Sequence, residues 1–188
     1  MTDEEFFGTK LPGVTTILSE VFGADDLSHI PKKILDAATE RGTYVHKWIE
    51  DYINGKTQGI VPLEYQIYID YFNEWKDKYK PKFIFSEQKI ISHKLGYKGI
   101  IDALYEDCDG LIMGDWKTSS NLDVFKALCQ LNLYLLLLEE MHPQYANKIK
   151  KLKILSLTKY GFKYYVFDVD RELANAILTI YRKKKQNG

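Results

Sequence analysis

The spacing of apolar residues changes period several times along this chain of 188 residues, and that alternation confines the fold more tightly than composition does. Over residues 32–53, Ile34, Leu35, Ala38, Val45, Trp48, Ile49, Tyr52 and Ile53 recur at helical spacing and stop at Asn54-Gly55. Leu63 to about Tyr79 repeats the pattern, with Tyr65, Ile69, Phe72 and Trp75 on one stripe before Pro81. The period then falls to that of strands over 82–92, 96–105 and 111–116, the last two joined across 106–110. A helix is expected from about Asn121 to Met141, where Ser120 and Asp123 have the spacing of a capping box. Residues 151–158 and 162–169 read as a hairpin turning at Lys159-Tyr160-Gly161, and 172–185 as a closing helix. The order ααβββαββα predicts an α/β fold, a mixed central β-sheet flanked by helices. No repeat, low-complexity tract or Pro/Gly/Ser-rich linker divides it, so residues 1–188 read as a single domain.

Composition removes other classes. Hydrophobic residues make up 45% and charged residues 28%, with 26 basic against 26 acidic side chains, which excludes disorder, collagen and coiled coil as overall descriptions. Two cysteines, Cys108 and Cys129, are too few for a disulfide scaffold, and no Cys/His set has structural-zinc or iron–sulfur spacing, so a reducing cytoplasm is expected. The N-terminus is acidic where a presequence would be basic, and the apolar run 131–138 is broken by Asn132 and short of the ~20 residues of a membrane span. The expectation is a protein neither exported nor embedded in a membrane. Neutrality conceals asymmetry: residues 143–188 carry eleven basic and three acidic side chains, net +8, leaving net −8 for residues 1–142. A basic end suits a phosphate backbone and an acidic part suits a divalent cation, although lysine-rich tails are also ordinary solvated surface.

The stretch with most chemical content is Gly99-Ile-Ile-Asp102 followed by Gly114-Asp115-Trp116-Lys117-Thr118-Ser119. Strand alternation projects Asp115 and Lys117 to one face and Trp116 to the other. A turn centred on Asp109-Gly110 sets Asp102 opposite Lys117; one centred on Cys108-Asp109 sets it opposite Asp115. Both put Asp102, Asp115 and Lys117 on one face, and a three-residue loop would break the set. Ile100, Ile101, Leu111 and Ile112 mark these strands as interior. Two buried carboxylates repel unless a cation separates them, and Mg²⁺ or Mn²⁺ would do so, activate water and neutralise charge on a phosphoryl oxygen beside Lys117. The alternative is an Asp102–Lys117 cross-strand ion pair worth ~0–1 kcal/mol if exposed.

These segments, with Gln130-Leu-Asn-Leu-Tyr134 on the following helix, resemble the PD-(D/E)XK nuclease superfamily in its RecB-like exonuclease branch, which includes phage exonucleases and the mitochondrial genome-maintenance exonuclease. Arg41-Gly-Thr-Tyr-Val-His46 resembles that branch's Arg-Gly-x-x-x-His helix, and Gly13-Val-Thr-Thr-Ile-Leu18 its Val-Thr-x-Ile-Leu segment. The resemblance implies a restriction-endonuclease-like core. It implies Asp102, Asp115 and Lys117 as catalytic residues, and His46, Asp102, Asp115 and the Trp116 carbonyl as metal ligands. Glu87, Gln130 and Tyr134 would support the site, and Thr15, Thr16, Arg41, Thr118 and Ser119 would contact nucleic acid.

From the residues alone, His46 also reads as a hydrogen-bonded border residue, Glu87 as solvent-facing, Tyr134 as core, and Thr118 and Ser119 as helix caps. The expected activity is a Mg²⁺- or Mn²⁺-dependent deoxyribonuclease, an exonuclease on single-stranded DNA or DNA ends, in the cytoplasm of a bacterial or phage-infected cell and with a replication or recombination protein as a possible partner. The alternative is a catalytically silent nucleic-acid-binding module of the same fold. No iron–sulfur cluster is expected from two cysteines, and without a Walker A sequence any ATPase would be another polypeptide.

Overall fold

A computed structural model describes residues 2–187. Four helices precede the sheet: α1 (Asp3–Gly8), α2 (Val14–Phe22), α3 (Lys32–Ile53) and α4 (Leu63–Tyr79). Then come β1 (Lys82–Ser92), β2 (Tyr97–Asp107), β3 (Gly110–Lys117), α5 (Val124–Met141), a 3₁₀ turn at Pro143–Tyr145, β4 (Ile149–Thr158), β5 (Gly161–Asp168) and α6 (Arg171–Asn187). The expected elements are present within a few residues, and α1 and α2 extend the order. Helix α5 begins at Val124 rather than Asn121, and Asp123, not Ser120, caps it by accepting from the Lys126 N–H at 2.9 Å.

The five strands lie in sequence order, antiparallel except for the parallel pair β3–β4, whose crossover is α5. That makes the mixed sheet of an α/β fold. One face packs Met113, Ile101 and Ile154 against α2, α5 and α6; the other packs Tyr105, Ile112, Trp116 and Leu155 against α3 and α4. Helix α4 shows why its sequence is helical: Tyr65, Tyr68, Ile69, Phe72 and Trp75 form one buried stripe. It ends where Lys80 turns left-handed (φ +48°) before Pro81. Helix α5 is buried on nearly every side because sheet, α2 and α6 surround it. No helix among the described residues is long and apolar enough to cross a membrane.

The turn between β2 and β3 is Cys108-Asp109, and the pairs Asp107↔Gly110 to Ala103↔Gly114 follow from it. Continued by one step, this register sets Asp102 beside Asp115 and excludes the arrangement with Asp102 opposite Lys117.

Candidate active site

Strand β3 does what its alternation predicted. Trp116 is buried against Phe72 and Trp75 on the α3/α4 side, while Asp115 and Lys117 face α5. The Lys117 Nζ donates to Asp115 Oδ1 at 2.9 Å and to Gln130 Oε1 at 3.1 Å, and the Gln130 amide donates to the Tyr134 hydroxyl at 2.8 Å. A polar chain thus runs from the end of β3 along one turn of α5. Tyr134, 6% exposed, is both a core residue and a member of this chain. Its ring also explains Gly99: a Cβ there would lie 2.5 Å from Tyr134 Cε1.

Asp102, on β2, accepts from the Trp116 backbone N–H at 2.8 Å. His46 comes in from α3, its Nε2 at 2.9 Å from the Trp116 carbonyl, its Nδ1 at 3.2 Å from Glu87 Oε1 and 3.7 Å from Asp102 Oδ2. Glu87 reaches this position from β1 with a left-handed backbone, φ +50°. The pair that Lys117 makes is with Asp115, so the expected alternative of an Asp102–Lys117 ion pair does not form.

Burial sets the electrostatics. Removal from water raises Asp115 to about 6, against the pull of Lys117, and raises Asp102 against His46 and Lys117. Burial works against the charged imidazole of His46, but Asp102 and Glu87 outweigh it and raise the group to about 9. Burial likewise opposes the charge on Lys117; Asp115 and Asp102 prevail and move it upward. Without an added cation, His46 therefore carries both protons and donates one to Glu87 and one to the Trp116 carbonyl.

The set fits a hard divalent cation. Ligand atoms of His46, Glu87 and Asp102 lie within 4.8 Å of one another, and a backbone carbonyl and the Asp115 carboxylate adjoin them. Asp115 Oδ2 is buried with no hydrogen bond; Lys117 Nζ is 2.8 Å away but poorly aligned with it. Asp102 and Asp115 are both buried, and two such carboxylates repel each other unless a cation lies between them.

The remaining expected residues divide. Thr118 is buried, and its hydroxyl packs beside Gly42, one turn before His46 on α3, where a Cβ would meet it in ordinary contact at 3.5 Å. Ser119 is exposed and bonds Asn121 rather than capping α5. Arg41 lies over the Tyr68 ring at 5.5 Å, and its buried Nε has no hydrogen-bond partner. Thr15 and Thr16 are exposed on the first turn of α2, with no hydrogen bond to the cluster. Sequence reasoning missed Thr43, Lys47 and Glu50, which with Gly42, His46 and Glu87 line a cleft of about 430 Å³. The signal was available: Thr43, His46, Lys47 and Glu50 follow the three- and four-residue steps of one helix face.

A family model of the PD-(D/E)XK nuclease superfamily matches residues 63–175. The chain belongs to this superfamily. None of the curated proteins matches the sequence. Among solved structures, an exonuclease candidate from Eubacterium rectale is similar over 100% of this chain and 84% of its own, at 14% identity and TM-score 0.56. An alkaline exonuclease from Laribacter hongkongensis is similar over 98% and 91%, at 11% identity and TM-score 0.51. At such identities these likenesses speak to the fold, which is that of the nuclease superfamily.

Proposed function

We propose that this chain, acting as one domain over residues 1–188, is a Mg²⁺- or Mn²⁺-dependent deoxyribonuclease of the RecB-like branch, an exonuclease that hydrolyses single-stranded DNA or DNA from its ends. The observation that carries the reading is the convergence of Asp102, Asp115 and Lys117 from β2 and β3 with His46 from α3, which sets two buried carboxylates side by side. Membership in a nuclease superfamily and two structural neighbours named for exonuclease activity support it.

His46 Nε2, the carboxylates of Asp102 and Asp115 and the Trp116 carbonyl would hold the cation. Once bound, it would acidify water and offset charge growing on the scissile phosphate. The chain's own groups do the rest. Glu87 keeps a proton on His46 Nδ1, which frees Nε2 to ligate. Lys117 keeps its proton between Asp115 and Gln130, so its role is that of a fixed positive charge toward a phosphoryl oxygen rather than a base. Gln130, itself held by Tyr134, sets the direction of that ammonium. Thr118, beside Gly42, and Arg41, on the same helix as His46, would contribute phosphate contacts in this reading.

End-labelled single- and double-stranded DNA incubated with Mn²⁺ should be degraded by the wild-type chain, and EDTA should stop it. Lys117→Ala should lower the rate by at least ~10²-fold, the scale of losing one stabilising group in the transition state. Equal degradation by the variant, or activity that survives EDTA, would remove this mechanism. DNA binding without cleavage by the wild type would favour a silent binding module.

A further inference from the structure

A second cleft of about 430 Å³ opens between α4 and the β4–β5 turn, and the chemistry proposed above leaves it unused. Its walls are aromatic: Tyr71 and Tyr79 from α4, Tyr160 from the turn, and Phe162 and Tyr164 from β5. Tyr164 is fixed in place, its hydroxyl 2.8 Å from that of Tyr105 and its ring 4.6 Å from that of Tyr79. Tyr160 stands at the tip of a two-residue turn, 80% exposed. Such a ring has no packing role. Two cations top the rims, Lys159 over Tyr160 at 4.9 Å and Lys78 over Tyr79 at 5.2 Å, and neither pairs with a carboxylate among the described residues.

The sheet connects this cleft to the catalytic residues. Lys117 pairs with Ser156 on β4, and Ser156 with Lys163 on β5, so Lys163 occupies the same row and face as Lys117, two strand spacings or about 10 Å away. Lys163 is exposed and has no carboxylate partner among the described residues. The turn bearing Lys159 and Tyr160 begins two residues further along, at the sheet end where β3 delivers Lys117. Unpaired lysines therefore mark a route from the catalytic end, past the edge strand and around the turn, into a tyrosine-lined recess.

We propose that this recess is an accessory subsite for single-stranded DNA, where unpaired bases stack on Tyr160 and the tyrosines behind it while Lys159 and Lys78 meet the phosphates; Lys163, on the opposite face of β5 from Phe162 and Tyr164, meets the strand before it rounds the turn. Stacking accepts any base, since each has a π-face, and the tyrosine hydroxyls and Glu74 offer polar partners at the base edges. The inference rests on the nuclease reading for its choice of ligand, and its test is separable from that reading.

Binding is measured by fluorescence anisotropy in EDTA with labelled oligothymidylates, one of about 20 nucleotides, beyond the ~4–16 of a single binding surface, and one of about 4. Tyr160→Ala should weaken the long oligonucleotide about five-fold or more, in line with ~1–3 kcal/mol per stacked base, and leave the short one unchanged. Tyr160→Phe should bind like wild type. Equal affinity of all three proteins for the long oligonucleotide would overturn the subsite, as would loss of self-association by Tyr160→Ala in sedimentation with DNA affinity intact, because the recess would then seat a second copy. Cleavage in Mn²⁺ is scored separately: a wild-type chain that cuts neither oligonucleotide overturns the nuclease reading, while the binding comparison still decides the subsite.

Discussion

Glu87 adopts φ +50° in the middle of a strand, a conformation that costs a residue with a Cβ about 1–2 kcal/mol. What the strain obtains is the reach of its carboxylate to His46 Nδ1. Two substitutions separate backbone from carboxylate. Glu87→Gly and Glu87→Ala both remove the acid, but only glycine takes this φ without cost. In urea unfolding the glycine variant should be more stable than the alanine variant by about 1 kcal/mol, and both should lose about 10–100-fold in Mn²⁺ affinity by calorimetry. Equal stabilities would mean that the backbone stores no strain there; undiminished Mn²⁺ affinity would mean that Glu87 does not orient the imidazole. Sequence alone led to Glu87 through resemblance, and to His46 in the same way, because the sign of a dihedral and the meeting of residues 41 positions apart are not written in local pattern. Lys117 and Asp115 were legible from alternation by itself.

At the scale of elements, the β2–β3 hairpin decides whether Asp102 and Asp115 meet, and its turn chemistry left two registers open. Asp109-Gly110 is a favoured hairpin dipeptide, yet the chain turns at Cys108-Asp109 and places Gly110, at φ +97°, just after it. The reason lies on another strand. Lys153 of β4, 2% exposed, donates to Asp107 at 2.7 Å and to Asp109 at 2.6 Å, clamping both flanks of the turn. A local reading of residues 106–110 has no access to a lysine more than 40 positions away. Because the Asp107 side chain is fully buried, Asp107→Ala would leave the buried Lys153 ammonium with the half-exposed Asp109 as its remaining carboxylate partner. The expected loss is about 1.5–3 kcal/mol in chemical denaturation, the range of a buried hydrogen bond to a charged group and above that of an exposed ion pair. A loss below about 1 kcal/mol would show that Asp109 alone neutralises Lys153 and that the clamp is not what selects the turn.

For the whole molecule, the three-layer arrangement was readable because long periodic segments report their own burial; the two short helices were not. Helix α1 buries only Phe6, and helices of such length are marginal in isolation. It is held by tertiary contacts, with Lys98 donating to the Phe6 and Thr9 carbonyls at 2.8 Å and Lys89 to Asp3 at 2.6 Å. Helix α2 does carry an apolar stripe, Val14, Ile17 and Leu18, but over nine residues it is too short for a period to stand out. Helices α5 and α6, which close one face of the sheet, are joined by Glu139 and Arg171, with Arg171 Nε donating to Glu139 Oε2 at 2.9 Å. Burial by itself would push the Glu139 carboxyl up, but Arg171 and the Asn147 N–H outweigh it and hold the group below its ordinary value. A carboxylate whose pKa falls on folding stabilises the native state above its unfolded pKa, about 4.3, and that contribution is lost as pH drops through the folded value. Glu139→Gln should therefore cost about 1–2 kcal/mol at neutral pH, the range of a hydrogen-bonded charge. The gap between the two proteins should close between about pH 5 and pH 3 in a series of urea titrations. A gap that stays constant with pH would assign the effect to packing between α5 and α6, and one that widens toward acid would reverse the sign of the coupling.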